Sequence, residues 1–229
     1  MVANDNYDVF KKILGNMFDY SDALDAKMEK DKTDPSNLYK KGERLMSRDK
    51  HEEAIRYYEK AAGLGSYEAQ EYLAELYLYG DQEINLKPNH TKALKWFQKL
   101  AEQGNDDAMY QCARFYGQGW GTTANSKKAF DYALKSATKG NNEGLKFAGC
   151  MYLKGEGTEK NEAKGIEYLK RAARQEDLYA HVLLFCYFFG KQMLEEAISY
   201  HKLIEMNKES LNEDDKKWFE DVTLQLTNW

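Results

Sequence analysis

Four histidines, three cysteines and a run of spaced glycines are where this chain could hold chemistry, and their spacing decides what kind. His51, His90, His181 and His201 are dispersed and form no H-x-x-x-H or H-E-x-x-H pattern, so they supply no zinc pair on one helical face. They read as surface or packing residues. Cys112, Cys150 and Cys186 are separated by 38 and 36 residues and include no C-x-x-C, which reads as small buried apolar residues returning with a structural period. Gly117, Gly119 and Gly121 spell G-x-G-x-G, but they follow a helical stretch rather than a strand and recur as Gly155 and Gly157. That is a repeat turn, not a phosphate loop. The acid pairs Glu52-Glu53, Asp106-Asp107 and Glu195-Glu196 fall at helix starts, where the macrodipole favours them, and nothing marks a convergent pocket for acid–base work. Tyr58, Tyr77, Tyr116, Tyr152 and Tyr168 sit at core positions. No catalytic, cofactor-binding or metal-ligating residue is assigned.

The elements that hold these residues repeat. A small residue and an aromatic lead to a glycine-rich turn, then Lys-Ala or Glu-Ala opens a second aromatic-rich helix. Ala54, Ala93, Ala129, Gly165 and Ala197 mark the phase, in steps of 39, 36, 36 and 32 residues. Such a period predicts an all-α, right-handed α/α superhelical solenoid of about five helix-turn-helix repeats. Residues 1–34 read as an N-terminal helical extension, with Val9, Phe10, Ile13, Leu14, Met17 and Phe18 on one face. Residues 35–208 form the repeat array, opened by an Asp34 cap and Pro35. Residues 209–229 give a C-terminal capping helix, with an Asn cap, an acidic first turn, and Trp218, Phe219, Val222 and Leu226 on one face. Gly42, Ala74, Ala113 and Gly149 let paired helices cross closely, and the turn glycines permit positive φ.

Composition narrows the function classes. The net charge is −5, from 33 Lys and Arg against 38 Asp and Glu. This argues against a general nucleic-acid or anionic-membrane binder, either of which would carry a basic surplus. No run of about 18 apolar residues suggests a membrane span, and the start lacks the features of a secretory signal. With an odd, sparse cysteine count, the expected location is the cytoplasm.

The repeats resemble the SEL-one-like repeat (SLR) family of tetratricopeptide-like solenoids. The resemblance rests on Ala69, Leu73, Tyr77, Gly80, Lys92, Ala93, Trp96, Phe97, Ala101 and Gly104 in one unit. Ala108, Ala113, Tyr116, Gly119, Gly121, Lys128, Ala129 and Gly140 carry it in the next, and Gly149, Tyr152, Gly155, Gly157, Lys164, Ala172 and Ala173 in a third. It covers about Ala69 to Glu176, and the flanking units look more like ordinary tetratricopeptide repeats. It implies a non-enzymatic adaptor, regulator or partner-binding module. An immunity protein that neutralises a toxin is one version, and a signalling or assembly adaptor is another. Secreted members of the family carry paired cysteines in each repeat, and this chain does not.

In tetratricopeptide-like stacks the first helix of each unit lines a concave groove. Aligning the units on their small residues predicts that Tyr39, Glu43 and Met46 face it, followed by Glu68, Glu71, Glu75 and Tyr79. Asp107, Tyr110 and Arg114 come next, then Glu143, Lys146 and Lys154, and last Tyr179, Val182 and Phe189. The first half is acidic with interleaved aromatics, the middle gains cations, and the end is apolar. Tyrosine and arginine are favoured interface anchors, and acids steer a basic partner. The expected partner is a protein or peptide with basic character, bound without a cofactor. Two rivals stand beside this reading. One is an enzyme or small-ligand site using the irregular loop Asp81 to Asn89 and Trp120. The other is a scaffold whose ends pair, through the N-terminal helix and Trp229.

Overall fold

In the computed structural model, residues 33–227 are described, and they hold eleven α-helices. The expectations for residues 1–32, for the Trp218, Val222 and Leu226 side chains, and for Trp229 lie outside the described residues. The chain divides into two compact units, Met1–Trp96 and Phe97–Trp229.

The first unit contains α1 (Pro35–Met46), α2 (His51–Gly63), α3 (Tyr67–Tyr79) and the start of α4 (His90–Glu102). Asp34 caps α1 through its carboxylate, which accepts from the Ser36 and Asn37 N–H groups with Pro35 in the first turn, satisfying donors that a helix start leaves open. α1 packs on α2, and α2 on α3. A Cβ on Gly42 would lie 2.6 Å from Cε1 of the buried Tyr58 ring, so only glycine fits where α1 meets α2.

The second unit contains the rest of α4, then α5 (Asp106–Gln118), α6 (Ser126–Thr138), α7 (Asn142–Lys154) and α8 (Glu162–Ala173). It continues with α9 (Leu178–Gly190), α10 (Leu194–Asn207), a 3-10 turn at Lys208–Ser210 and α11 (Glu213–Thr227). Each helix from α5 to α9 packs on the next, and α5 also touches α7. The close of the unit is apolar: Leu169, Leu184, Phe185, Phe188, Ala197, Ile204, Leu211 and Phe219 form one buried cluster. Burying each large side chain there contributes about 1.5–3 kcal/mol. α11 contributes Phe219 to this cluster, and its ring meets Phe185 edge-on at 6.1 Å.

One turn recurs in both units. The first helix ends on a glycine with positive φ (Gly80 at 70°, Gly119 at 73°, Gly155 at 75°), whose N–H donates to the carbonyl four residues back. An asparagine then closes the turn. The N–H groups of Asn89, Asn125 and Asn161 donate to the carbonyls of Tyr77, Tyr116 and Tyr152 at 2.7, 2.7 and 2.8 Å. Their side chains cap the next helix by accepting from the N–H groups of Lys92, Lys128 and Lys164. Those lysines lay their ammonium groups over the same three tyrosine rings, at 4.5, 5.0 and 5.4 Å from the centroids. The motif lysine therefore clips a turn to its own repeat, worth about 0.5–1 kcal/mol at an exposed site. The first of these turns is longer, and its excess is closed by paired backbone bonds between Asp81 and Leu86, both 2.7 Å.

Candidate functional site

In the second unit, residues from three successive first helices converge. Tyr110 of α5, with Glu143, Lys146, Phe147 and Cys150 of α7 and Tyr179, Val182 and Leu183 of α9, line an open cleft of about 440 Å³. Tyr110, Glu143, Lys146, Tyr179 and Val182 were expected from the sequence to share a face, and here they share a cleft.

Its walls are apolar and its rim is charged. Tyr110 meets Phe147 edge-on at 6.1 Å. Lys146 Nζ lies 2.6 Å from Glu143 and 2.8 Å from Asp177, and the Lys146 and Asp177 side chains are each only 11% exposed. Burial works against the ammonium, yet the two carboxylates hold its pKa above the ordinary lysine value. Asp177 also caps α9 by accepting from the Ala180 N–H, so one carboxylate fixes both a helix start and a rim cation. Lys146 is thereby spent inside the protein. Glu143 shares that ion pair and is about half exposed, so it sets the negative edge of the rim. The Tyr110 hydroxyl is pushed up in pKa by burial and then by Glu143, and the Tyr179 hydroxyl by its bond to Asp215. Arg114 lies outside the lining, 5.8 Å from the Tyr110 ring and 5.2 Å from Trp120, with its guanidinium donating to Gln111. Three carboxylates, Glu143, Asp177 and Asp215, therefore oppose two cations, Lys146 and Arg114.

Three other predicted residues of this unit do not reach the cleft. Asp107 accepts from Asn141 at 2.7 Å and ties neighbouring repeats together. Lys154 ends α7 in the turn, 3.8 Å from Glu156. Phe189 stacks on Phe185 at 5.7 Å and belongs to the apolar close of the unit.

In the first unit the predicted acids gather around a tyrosine. The Tyr39 hydroxyl is raised in pKa by burial, then by Glu43, Glu68 and Glu71, so these four share one neighbourhood. Tyr39 packs on Tyr58 and Tyr58 on Tyr72, at 5.3 and 4.6 Å. Glu68 also accepts from the capping Ser66 hydroxyl. Glu75 and Tyr79 are exposed further along α3, and the Met46 sulfur faces His51 Nδ1 at 3.1 Å. A larger cleft of about 900 Å³ in this unit is lined by other residues, among them Lys41, Tyr57, Lys60 and Leu64. Its lysines lie over the Tyr57 ring at 4.2 and 5.3 Å. It contains none of the residues that the sequence predicts to line a groove, and its lysines lie over a ring of the fold itself.

Sequence reasoning missed Phe147, Cys150, Leu183 and Asp177. Phe147 and Leu183 follow the predicted Glu143 and Tyr179 by one helical turn, and that spacing was the available signal. The cysteine reading needs correction: Cys112 is buried as expected, but Cys150 is half-buried in the cleft and Cys186 is exposed. Burial still pushes the Cys112 thiol up to about 12, which makes it an inert packing group.

Comparison with known proteins adds the following. The Sel1 repeat family model matches residues 36–66, 68–105, 106–141 and 143–177. No curated protein matches the chain. Among solved structures, the chain is similar to a Sel1 repeat protein from Oxalobacter formigenes, with 24% identity, a TM-score of 0.57, and coverage of 86% of this chain and 82% of that one. It is also similar to a protective antigen of uropathogenic Escherichia coli strains that displays an SLR fold, with 18% identity, a TM-score of 0.58, and coverage of 76% of this chain and 40% of that one. The chain thus spans about two-fifths of the length of that antigen. An immunity protein from Pseudomonas aeruginosa aligns at 24% identity and a TM-score of 0.43, over 73% of this chain and 63% of that one. The first two likenesses are of fold. No helix among the described residues is long and apolar enough to cross a membrane.

Proposed function

This chain belongs to the Sel1 repeat family, and from that membership we propose that it is a protein-binding module that grips a basic protein or peptide with its first helices. Sel1 repeats typically serve as non-enzymatic scaffolds for protein–protein interaction. The observation that carries the finer reading is the second unit's cleft. Apolar walls from Tyr110, Phe147, Val182 and Leu183 suit a bulky side chain, and Glu143 at the rim suits a neighbouring cation. Aromatic anchors in a desolvated pocket supply most of the energy of such contacts, and rim charges mainly set on-rate and selectivity. The acids around Tyr39, with Glu75 and Tyr79 beyond them, extend the same preference to the first unit. Toxin neutralisation and adaptor assembly are both uses of such a grip, and the identity of the captured protein separates them.

The test is a pull-down from source-cell lysate, with captured proteins identified by mass spectrometry. Leu183→Glu, which fills the cleft with charge, should abolish capture of the specific partner. Charge reversal of Glu68, Glu71 and Glu75 to lysine should weaken it by about tenfold or more, most strongly at low salt. Helical content by circular dichroism checks that both variants stay folded. Capture undiminished by Leu183→Glu would remove the cleft from the proposal.

A further inference from the structure

Helix α1 opens the array, and one of its faces differs from the same face of every later first helix. Gly42, Ala74, Ala113 and Gly149 align the four units. Leu73, Cys112 and Ala148 then hold the place of Lys41, and Leu76, Phe115 and Met151 that of Arg44. All six of these are buried, and the face they form meets the repeat before it: Phe115 packs on Phe97 of α4 at 5.6 Å. Lys41 and Arg44 are exposed instead, and both line the 900 Å³ cleft of the first unit. The floor of that cleft is apolar, with the Tyr57 ring and Leu64, which is 54% exposed. Lys60 adds a third cation to the lining. Glu59, the carboxylate among the described lining residues, is already held by Lys92 and Tyr77 of the next repeat.

We propose that the chain's own N-terminal segment covers this face: residues 7–20 lie in the cleft as an amphipathic helix and cap the array where a preceding repeat would stand. Position comes first. Thr33, where the described residues begin, itself lines the cleft, so the segment enters at its edge. Length agrees. Fourteen helical residues make about 21 Å against about 18 Å for α1, and residues 21–32 can span up to about 40 Å, enough to turn the chain back. Chemistry agrees as well. Val9, Phe10, Ile13, Leu14, Met17 and Phe18 offer an apolar stripe to the floor. Residues 1–25 carry five aspartates against two lysines, which complements Lys41, Arg44 and Lys60. A helix this short is marginal alone in water, and the end of a solenoid needs a cap, so each supplies what the other lacks. The inference does not rest on the cleft of the second unit.

Hydrogen–deuterium exchange of the full chain, read by mass spectrometry, tests this. Amides of residues 9–18 should exchange at least about tenfold more slowly than in a free peptide of residues 1–25. Ile13→Asp with Met17→Asp, which sets two carboxylates in the stripe, should abolish that protection and speed exchange in α1 by at least about tenfold. Exchange in α9 should not change, which separates undocking from unfolding. Lys41→Glu with Arg44→Glu should speed exchange of residues 9–18 by at least about threefold, and raised salt should act in the same direction. Residues 9–18 exchanging as in the free peptide, or an α1 indifferent to the stripe substitutions, would overturn the proposal. Protection that grows with protein concentration, with a dimer in sedimentation, would overturn it in favour of a second copy as the occupant.

Discussion

Glu162 shows how much one side chain can gather. It accepts from the Tyr187 hydroxyl at 2.9 Å and faces Lys160 and Lys191 at 2.8 Å each. The lysines first, and then the tyrosine, draw its pKa from 4.5 to about 2. The folded state therefore holds the proton more weakly than the unfolded chain does. The resulting stability is fully present above the unfolded pKa, near 4.5, and is lost as pH falls through that value toward about 2. Glu162→Gln should flatten this part of the melting-temperature profile between those two values, and thermal melts across the acid range would show it. Identical acid slopes for the two proteins would refute the assignment. Nothing in the local sequence announces this cluster, because Tyr187 and Lys191 belong to the next repeat and only packing brings them near. The motif lysines Lys92, Lys128 and Lys164 were legible as members of a pattern, but their place over a tyrosine ring was not. A sequence records that a residue recurs without recording what it touches. The asparagines three residues before them recur at the same interval, and that recurrence is a readable signal for the caps.

At the scale of elements, helix positions were legible because each unit repeats the same apolar spacing, and the small residues named the crossings. Their degree was not legible. Ala74 and Ala93, like Ala113 and Ala129, are fully buried, whereas the corresponding place between α7 and α8 holds two glycines. A Cβ on Gly165 would stand 2.5 Å from Leu153 Cδ2 and 2.9 Å from the Gly149 carbonyl oxygen. Gly165→Ala gains about 1 kcal/mol of helix propensity but meets an overpacking cost of about 1–3 kcal/mol. We expect a net loss of roughly 1 kcal/mol in urea unfolding, and a more stable variant would show that the crossing relaxes freely. The exposure of Leu194, Ile198 and Leu203 on α10, 39%, 44% and 42%, escaped sequence reading for a related reason. Leu194, Ile198 and Leu203 look like ordinary core residues until their helix is seen to bury its other side.

At the scale of the whole chain, the sequence predicts one array over residues 35–208, and compactness divides the chain at Trp96 and Phe97. Within each unit the helix contacts run mainly between neighbours in the sequence, as in a stack of repeats. Tyr110, Glu143, Lys146, Tyr179 and Val182 could be read as one face, because helix spacing fixes direction. They were not legible as a cleft, because depth depends on Phe147, Cys150 and Leu183 from neighbouring helices. The turn that begins at Gly80 and ends at Asn89 carries a different consequence. Its two ends are held by bonds to Leu76 and Tyr77 that do not depend on what lies between, and the shorter turns at Gly119 and Gly155 use the same two anchors. The anchors therefore make a socket, and the length of chain plugged into it is free to change at about 0.6 kcal/mol per doubling. A short epitope tag spliced between Glu83 and Ile84 should leave the urea midpoint nearly unchanged, while the same tag inside α5 should unfold its repeat. A chain built this way can acquire new surface features, whether by evolution or by splicing at the bench, without its helices being redesigned.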